Sequence, residues 1–153
     1  MAKVEKSAHV DAPVERVFAY LRDPMSNLKW LPGMMEVTKV SGEGVGARFR
    51  WVYRMAGIAV EGESTALEFV PNERFVTESR SGILSTWTWD FAPKDGGTKI
   101  DLTVDYVVPI PVLGKLAEAV VVKQNERVLD TALENIRSRM EAPSGQKERE
   151  TIQ

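Results

Sequence analysis

The chain has no cysteine and a single histidine, His9. Without cysteine there are no disulfides, thiolate zinc sites, iron–sulfur clusters or thiol nucleophiles. One histidine argues against a multi-histidine metal site and against a serine–histidine–acid triad. An excess of charge of one sign is also missing: 20 basic residues stand against 22 acidic ones, for a net charge of −2. That balance argues against the basic surface needed for non-specific nucleic-acid binding, so no nucleic-acid partner is expected. Long apolar runs are absent as well. Ala119 to Val122 and Val107 to Ile110 fall far short of the roughly 20 residues of a membrane span. Met1 to Lys6 lacks the apolar core of a secretion signal, and the expected compartment is the cytoplasm.

What is present is a chain of 153 residues with four tryptophans, five phenylalanines and three tyrosines. This length suits one domain, expected over residues 1–141, followed by a polar, aperiodic tail over 142–153 that is expected to be disordered. Near the start, Lys3 to Val10 predicts a strand. Val14, Val17, Phe18 and Leu21 then recur at helical spacing up to Asp23-Pro24, with Pro13 pre-set for a first turn. A second short helical piece, Met25 to Leu31, stops at Pro32-Gly33.

From Met34 to Val108 the period changes to two. Phe49, Trp51, Tyr53 and Met55 alternate with Arg48, Arg50, Val52 and Arg54, giving one aromatic face and one largely cationic face. Trp87, Trp89 and Phe91 share a face over Leu84 to Phe91, and Ile100, Leu102, Val104 and Tyr106 share another. Asp95-Gly96 between such segments is a strong hairpin signal. Leu113, Leu116, Ala117, Val120, Gln124, Val128, Ala132, Ile136 and Met140 then follow a three-and-four spacing, predicting one long helix.

One strand, two short helices, six strands and a long helix predict an α+β fold with a curved antiparallel sheet of about seven strands around the C-terminal helix. A strongly curved sheet and one helix cannot fill both ends of such an arrangement, so a cavity is expected. Its expected lining is Phe49, Trp51, Tyr53, Met55, Leu67, Trp87, Trp89, Leu102, Val104, Leu116, Val120 and Gln124.

Two stretches carry a family resemblance. The first is the opening Val10-x-Ala12-Pro13-Val14-x-x-Val17-Phe18-x-x-Leu21-x-Asp23-Pro24. The second is Trp30-Leu31-Pro32-Gly33 followed by Val37, Val40 and Gly44-x-Gly46. With Glu68 to Arg74 and Trp87-Thr88-Trp89 through Gly97-Thr98 in order, the chain resembles the SRPBCC, or START-like, superfamily over roughly residues 4–140, and most of all its polyketide cyclase/dehydrase-like branch. The resemblance implies a helix-grip fold and supports a ligand cavity, but it names no ligand; a lipid, polyketide or isoprenoid would suit apolar walls. It does not choose between binding and catalysis.

The residues able to do chemistry are few. Tyr53 and Tyr106 are candidate general acids or carbonyl-orienting donors. Glu61 and Glu63 share parity with Leu67 and Phe69, and turned inward either would be an acid or base. A bulge at Gly62 would reverse that, and the cost of burying a carboxylate favours the outward orientation. Gln124 is either a polar handle in the cavity or a residue at the wet edge of the helix, while Lys123 and Asn125 are expected outside. Arg48, Arg50, Arg54, His9, Asp101 and Asp105 read as surface residues. Gly42-x-Gly44-x-Gly46 joins strand to strand, so it reads as a hairpin rather than a phosphate cradle. No metal and no cofactor is called for. Three functions remain: a binder of a small or medium hydrophobic molecule, a cyclase/dehydratase-like enzyme, or a protein-interaction module with an apolar patch around Val107 to Leu113. Oligomeric state is not encoded in any of these features.

Overall fold

Alternation of apolar and polar residues over most of the chain can bury one face only if strands join side by side, and seven of them do. The computed structural model describes residues 2–108 and 115–142. Its strands are β1 (Ala2–Val10), β2 (Met34–Ser41), β3 (Arg48–Met55), β4 (Ile58–Val70), β5 (Arg74–Ser79), β6 (Ser85–Lys94) and β7 (Gly97–Tyr106). They form one antiparallel sheet in the order β1-β7-β6-β5-β4-β3-β2. Every neighbouring pair except β1–β7 is also consecutive in sequence, so nearly all pairing is by hairpins. The β6–β7 hairpin turns at Asp95 and Gly96, whose φ values of 50° and 79° are both positive, as a two-residue type I′ turn requires.

Between β1 and β2 lie α1 (Val14–Arg22), a single 3₁₀ turn (Pro24–Ser26) and α2 (Asn27–Trp30). Pro13 sits at the N-cap of α1 and Glu15 lies in its first turn. Asp23 ends α1 in an extended conformation, as the residue before proline prefers, and its carboxylate accepts from Met25 N at 3.0 Å. The long helix α3 (Lys115–Glu141) crosses the concave face of the sheet. Lys6 Nζ to Asp130 Oδ1 (2.9 Å) ties it to β1, and Asn135 Nδ2 donating to the Trp30 carbonyl (3.1 Å) ties it to α2. Leu113 and the prolines at 109 and 111, read as the lead into this helix, lie outside the described residues, as does the tail from 143 onward.

Two corrections to the sequence reading concern which side a residue faces. The β3–β4 ladder runs unbroken past Gly62, and the irregularity in β4 falls between Ala66 and Glu68 instead. Gly62, Ser64 and Ala66 therefore face inward, the bulge throws Leu67 out to 43% exposure, and Phe69 returns to the inner face. On α3 the stripe holds for Ala132, Ile136 and Met140 but not for its N-terminal half. Leu116 is 87% and Val120 56% exposed. Stepping back by fours from Val128 rotates about 40° per step on a 3.6-residue helix, so Leu116 ends roughly a third of a turn from the buried face.

Candidate functional site

The concave face of the sheet is filled at one end and open at the other. Along β7, Ile100 and Leu102 are fully buried in the core, whereas Val104 and Tyr106 line a cavity of about 490 Å³. Along α3 the same division separates Ile136 and Met140 from Leu129, Val128 and Asn125, which form the cavity wall. Small residues explain the space. Opposite Phe49 and Trp51 of β3, strand β4 presents only the small residues Ser64 and Gly62, with Ala66 next on the same face.

The walls are mainly aromatic. Strand β3 supplies Phe49, Trp51, Tyr53 and Met55, β5 supplies Phe75, and β6 supplies Trp87 and Trp89. Trp87 and Trp89 stack at 6.3 Å between ring centroids, and Trp89 stacks on Phe75 at 5.8 Å. Trp30 of α2 meets both tryptophans edge-on, at 6.4 and 5.4 Å. Its own indole N–H donates to Ser26 Oγ at 3.1 Å, so the roof is held by a satisfied donor as well as by packing. Trp51 Nε1 likewise donates to Ser64 Oγ at 3.0 Å.

Polar groups gather at two places. At the edge beside the β2–β3 loop lie the exposed residues Arg22, Asp23, Glu43 and Arg48, with the Arg22 guanidinium 5.3 Å from the centre of the Phe69 ring. Toward the other end of β3, Tyr53 and Tyr106 share the wall with Asn125. The Asn125 amide nitrogen donates to the Tyr106 hydroxyl at 2.9 Å and lies 3.9 Å from Met55 Sδ. Gly33, at φ +96°, lets the Tyr53 ring pass close beneath it: a Cβ there would stand 2.9 Å from Tyr53 Cε1. Burial, reinforced by the neighbouring Tyr106, pushes the Tyr53 hydroxyl up to about 12. Burial also raises Tyr106, against the opposing effect of the Asn125 hydrogen bond.

The structure thus brings together Phe49, Trp51, Tyr53, Met55, Trp87, Trp89, Val104 and Tyr106 from the expected set. It leaves out Leu67, Leu116, Val120 and Gln124, which are exposed, and Leu102, which belongs to the filled core. Asn125, expected outside, is the inward amide, because the buried face of α3 passes through residues 125, 128 and 129 rather than through 124. Glu61 and Glu63 turn outward: Glu61 is exposed, and Glu63 lies 4.0 Å from Arg48. Neither lines the cavity. Ser64 and Ala66 were missed, although the alternation Gly62-x-Ser64-x-Ala66 is a readable signal for a strand face that leaves room.

The sequence matches the family model described as "Polyketide cyclase / dehydrase and lipid transport" over residues 1–141. Comparison with curated proteins finds no match. Among solved structures, the TTHA0849 protein of Thermus thermophilus superposes with a TM-score of 0.80 at 27% identity, over 91% of this chain and 97% of that one. A START superfamily protein from Mycobacterium smegmatis gives 0.74 at 17% identity, over 91% and 97%. The Zhui aromatase/cyclase from Streptomyces sp. R1128 gives 0.70 at 20% identity, over 92% and 96%. The last two likenesses show the fold, which is the helix-grip arrangement expected from the sequence. By its family match over residues 1–141, this chain belongs to the polyketide cyclase / dehydrase and lipid transport family.

Proposed function

We propose that the protein holds a small or medium hydrophobic molecule of lipid, polyketide or isoprenoid type in this cavity, and that it works in the cytoplasm. The observation that carries the reading is about 490 Å³ of space with indole, phenyl and aliphatic walls. That volume lies within the usual range of small-molecule sites. Burying on the order of 300 Å² of apolar ligand surface contributes roughly 7 kcal/mol before the cost of association, enough to support binding by shape and apolarity alone. Among the described residues no helix is long and apolar enough to cross a membrane.

A cyclase or dehydratase is the second reading, favoured by two phenols at one end of the cavity. Both phenols have raised pKa values, so near neutrality they are proton donors and not bases. The candidate carboxylates for the base, those of Glu61 and Glu63, face away. Binding therefore explains more of the site than catalysis does. The interaction-module reading rests on Val107 to Leu113, of which only Val107 and Val108 lie within the described residues.

Native mass spectrometry of protein purified from its own host tests the proposal. A bound small molecule of constant mass, lost on Trp51→Ala or Tyr53→Ala substitution, supports it. Occupancy unchanged by either substitution argues against this cavity as the site.

A further inference from the structure

Three features bear on which end of a ligand goes where. The first is the direction of hydrogen bonding at Tyr106. Asn125 donates to the phenol oxygen, which leaves the Tyr106 proton to be given elsewhere. Among the described residues nothing accepts that proton, and nothing accepts the proton of Tyr53. A phenol whose oxygen already accepts a hydrogen bond is a better donor through its own proton, and a buried donor left without an acceptor is costly.

The second feature is the distribution of charge. The only cationic side chains in the cavity lining, among the described residues, are Arg22 and Arg48, both exposed. Arg48 begins β3 and Tyr53 comes five residues later, so the charged edge and the phenols are separated by roughly 17 Å along the strand. A carboxylate at the phenol end would be buried without a cation, which is unfavourable. The third feature is the wall between them, whose stacked rings of Trp87, Trp89 and Phe75 match a flat, unsaturated body.

Resting on the binding reading above, we infer that the ligand is a neutral carbonyl compound whose oxygen is received by the Tyr106 hydroxyl, with Asn125 as the positioning residue that turns the phenol proton toward it. The apolar body lies along the aromatic wall, and any charged substituent is left at the Arg22 and Arg48 edge. This selects ketones, quinones and esters over fatty acids bound carboxylate-first.

The test uses two fluorescent naphthalenes that differ by one propionyl group, and hence by the presence of a ketone. They are 6-propionyl-2-dimethylaminonaphthalene and 2-dimethylaminonaphthalene. Tyr106→Phe, which removes only the hydroxyl, should weaken the ketone about tenfold and move its bound emission to the blue of that in the unaltered protein, with the carbonyl-free probe unchanged within twofold. Asn125→Asp, which puts an acceptor where the donor stood and captures the Tyr106 proton, should do the same. Equal losses for both probes indicate a merely structural role and overturn the inference, as does a ketone that binds and emits as before. Methyl 2-naphthoate should bind at least tenfold more tightly than 2-naphthoate at neutral pH, and the reverse order overturns the neutral class. If the unaltered protein binds neither naphthalene, the cavity reading itself falls, and this inference with it.

Discussion

The indole ring of Trp51 occupies the place where a side chain on Gly62 would stand. A Cβ at Gly62 would overlap Trp51 Cζ2 and lie 2.6 Å from the Ser81 carbonyl oxygen. Glycine there has no special backbone angle to satisfy; the requirement is for space. Strand β4 is thereby able to pass behind a tryptophan that forms part of the cavity wall.

Gly62→Ala should accordingly destabilise the protein by about 1–3 kcal/mol, the usual cost of forcing an atom into a packed site. Because the indole must move, its fluorescence should change as well. Urea denaturation with tryptophan emission as the probe measures both effects. A stability change below about 0.5 kcal/mol would show that the indole is not confined.

Ser64→Ala removes the acceptor of the buried Trp51 N–H. An orphaned donor costs about 1–3 kcal/mol, and the serine itself contributes little packing volume, so the loss should fall in that range. Chemical denaturation checks it. A neutral result would mean that water replaces the serine through the cavity.

All three tyrosines are shifted upward by burial, Tyr53 to about 12 from an ordinary 10.0. Well below pH 10 the phenols are neutral in folded and unfolded chains alike and add no pH dependence. Between pH 10 and about 12 the unfolded chain releases the Tyr53 proton that the folded chain keeps, so stability falls as pH rises through that window, and Tyr20 and Tyr106 act in the same direction. Spectrophotometric titration near 295 nm should show little phenolate at pH 10 in native protein and about half ionisation in urea. Matching curves in the two states would refute the burial of these side chains.

The two faces of α3 should differ sharply. Leu129 is buried beside the cavity and Leu116 is exposed. Leu129→Ala should cost about 2–5 kcal/mol, whereas Leu116→Ala should stay within about 0.5 kcal/mol. Thermal or urea unfolding of the two variants tests the orientation of the helix, and equal losses would place the buried face elsewhere.

Much of this architecture is legible in the sequence because it rests on local signals. The period of two from Arg48 to Met55 and from Gly97 to Tyr106 sets which side chains face inward, and Asp95-Gly96 sets the register of their hairpin. What is not legible depends on accumulated phase. One extra residue near Leu67 reverses the parity that had grouped Leu67 with Phe69, and a drift of about 40° per four residues exchanges Gln124 for Asn125. The space itself was inferred from the curvature of the sheet, but its immediate cause is the row of small residues on β4. That cause is a pattern of what is missing, which hydrophobic periodicity does not register.

The central claim is that the space between sheet and α3 takes up an apolar molecule, and titration with the neutral probe N-phenyl-1-naphthylamine tests it most directly. The account predicts saturable binding of one probe per chain with energy transfer from the wall tryptophans. Binding should be lost in Ala66→Trp, a substitution that fills the cavity, provided circular dichroism confirms that this variant is folded. Saturable binding that survives intact in the folded, filled variant, or no binding to the unaltered protein, would contradict it.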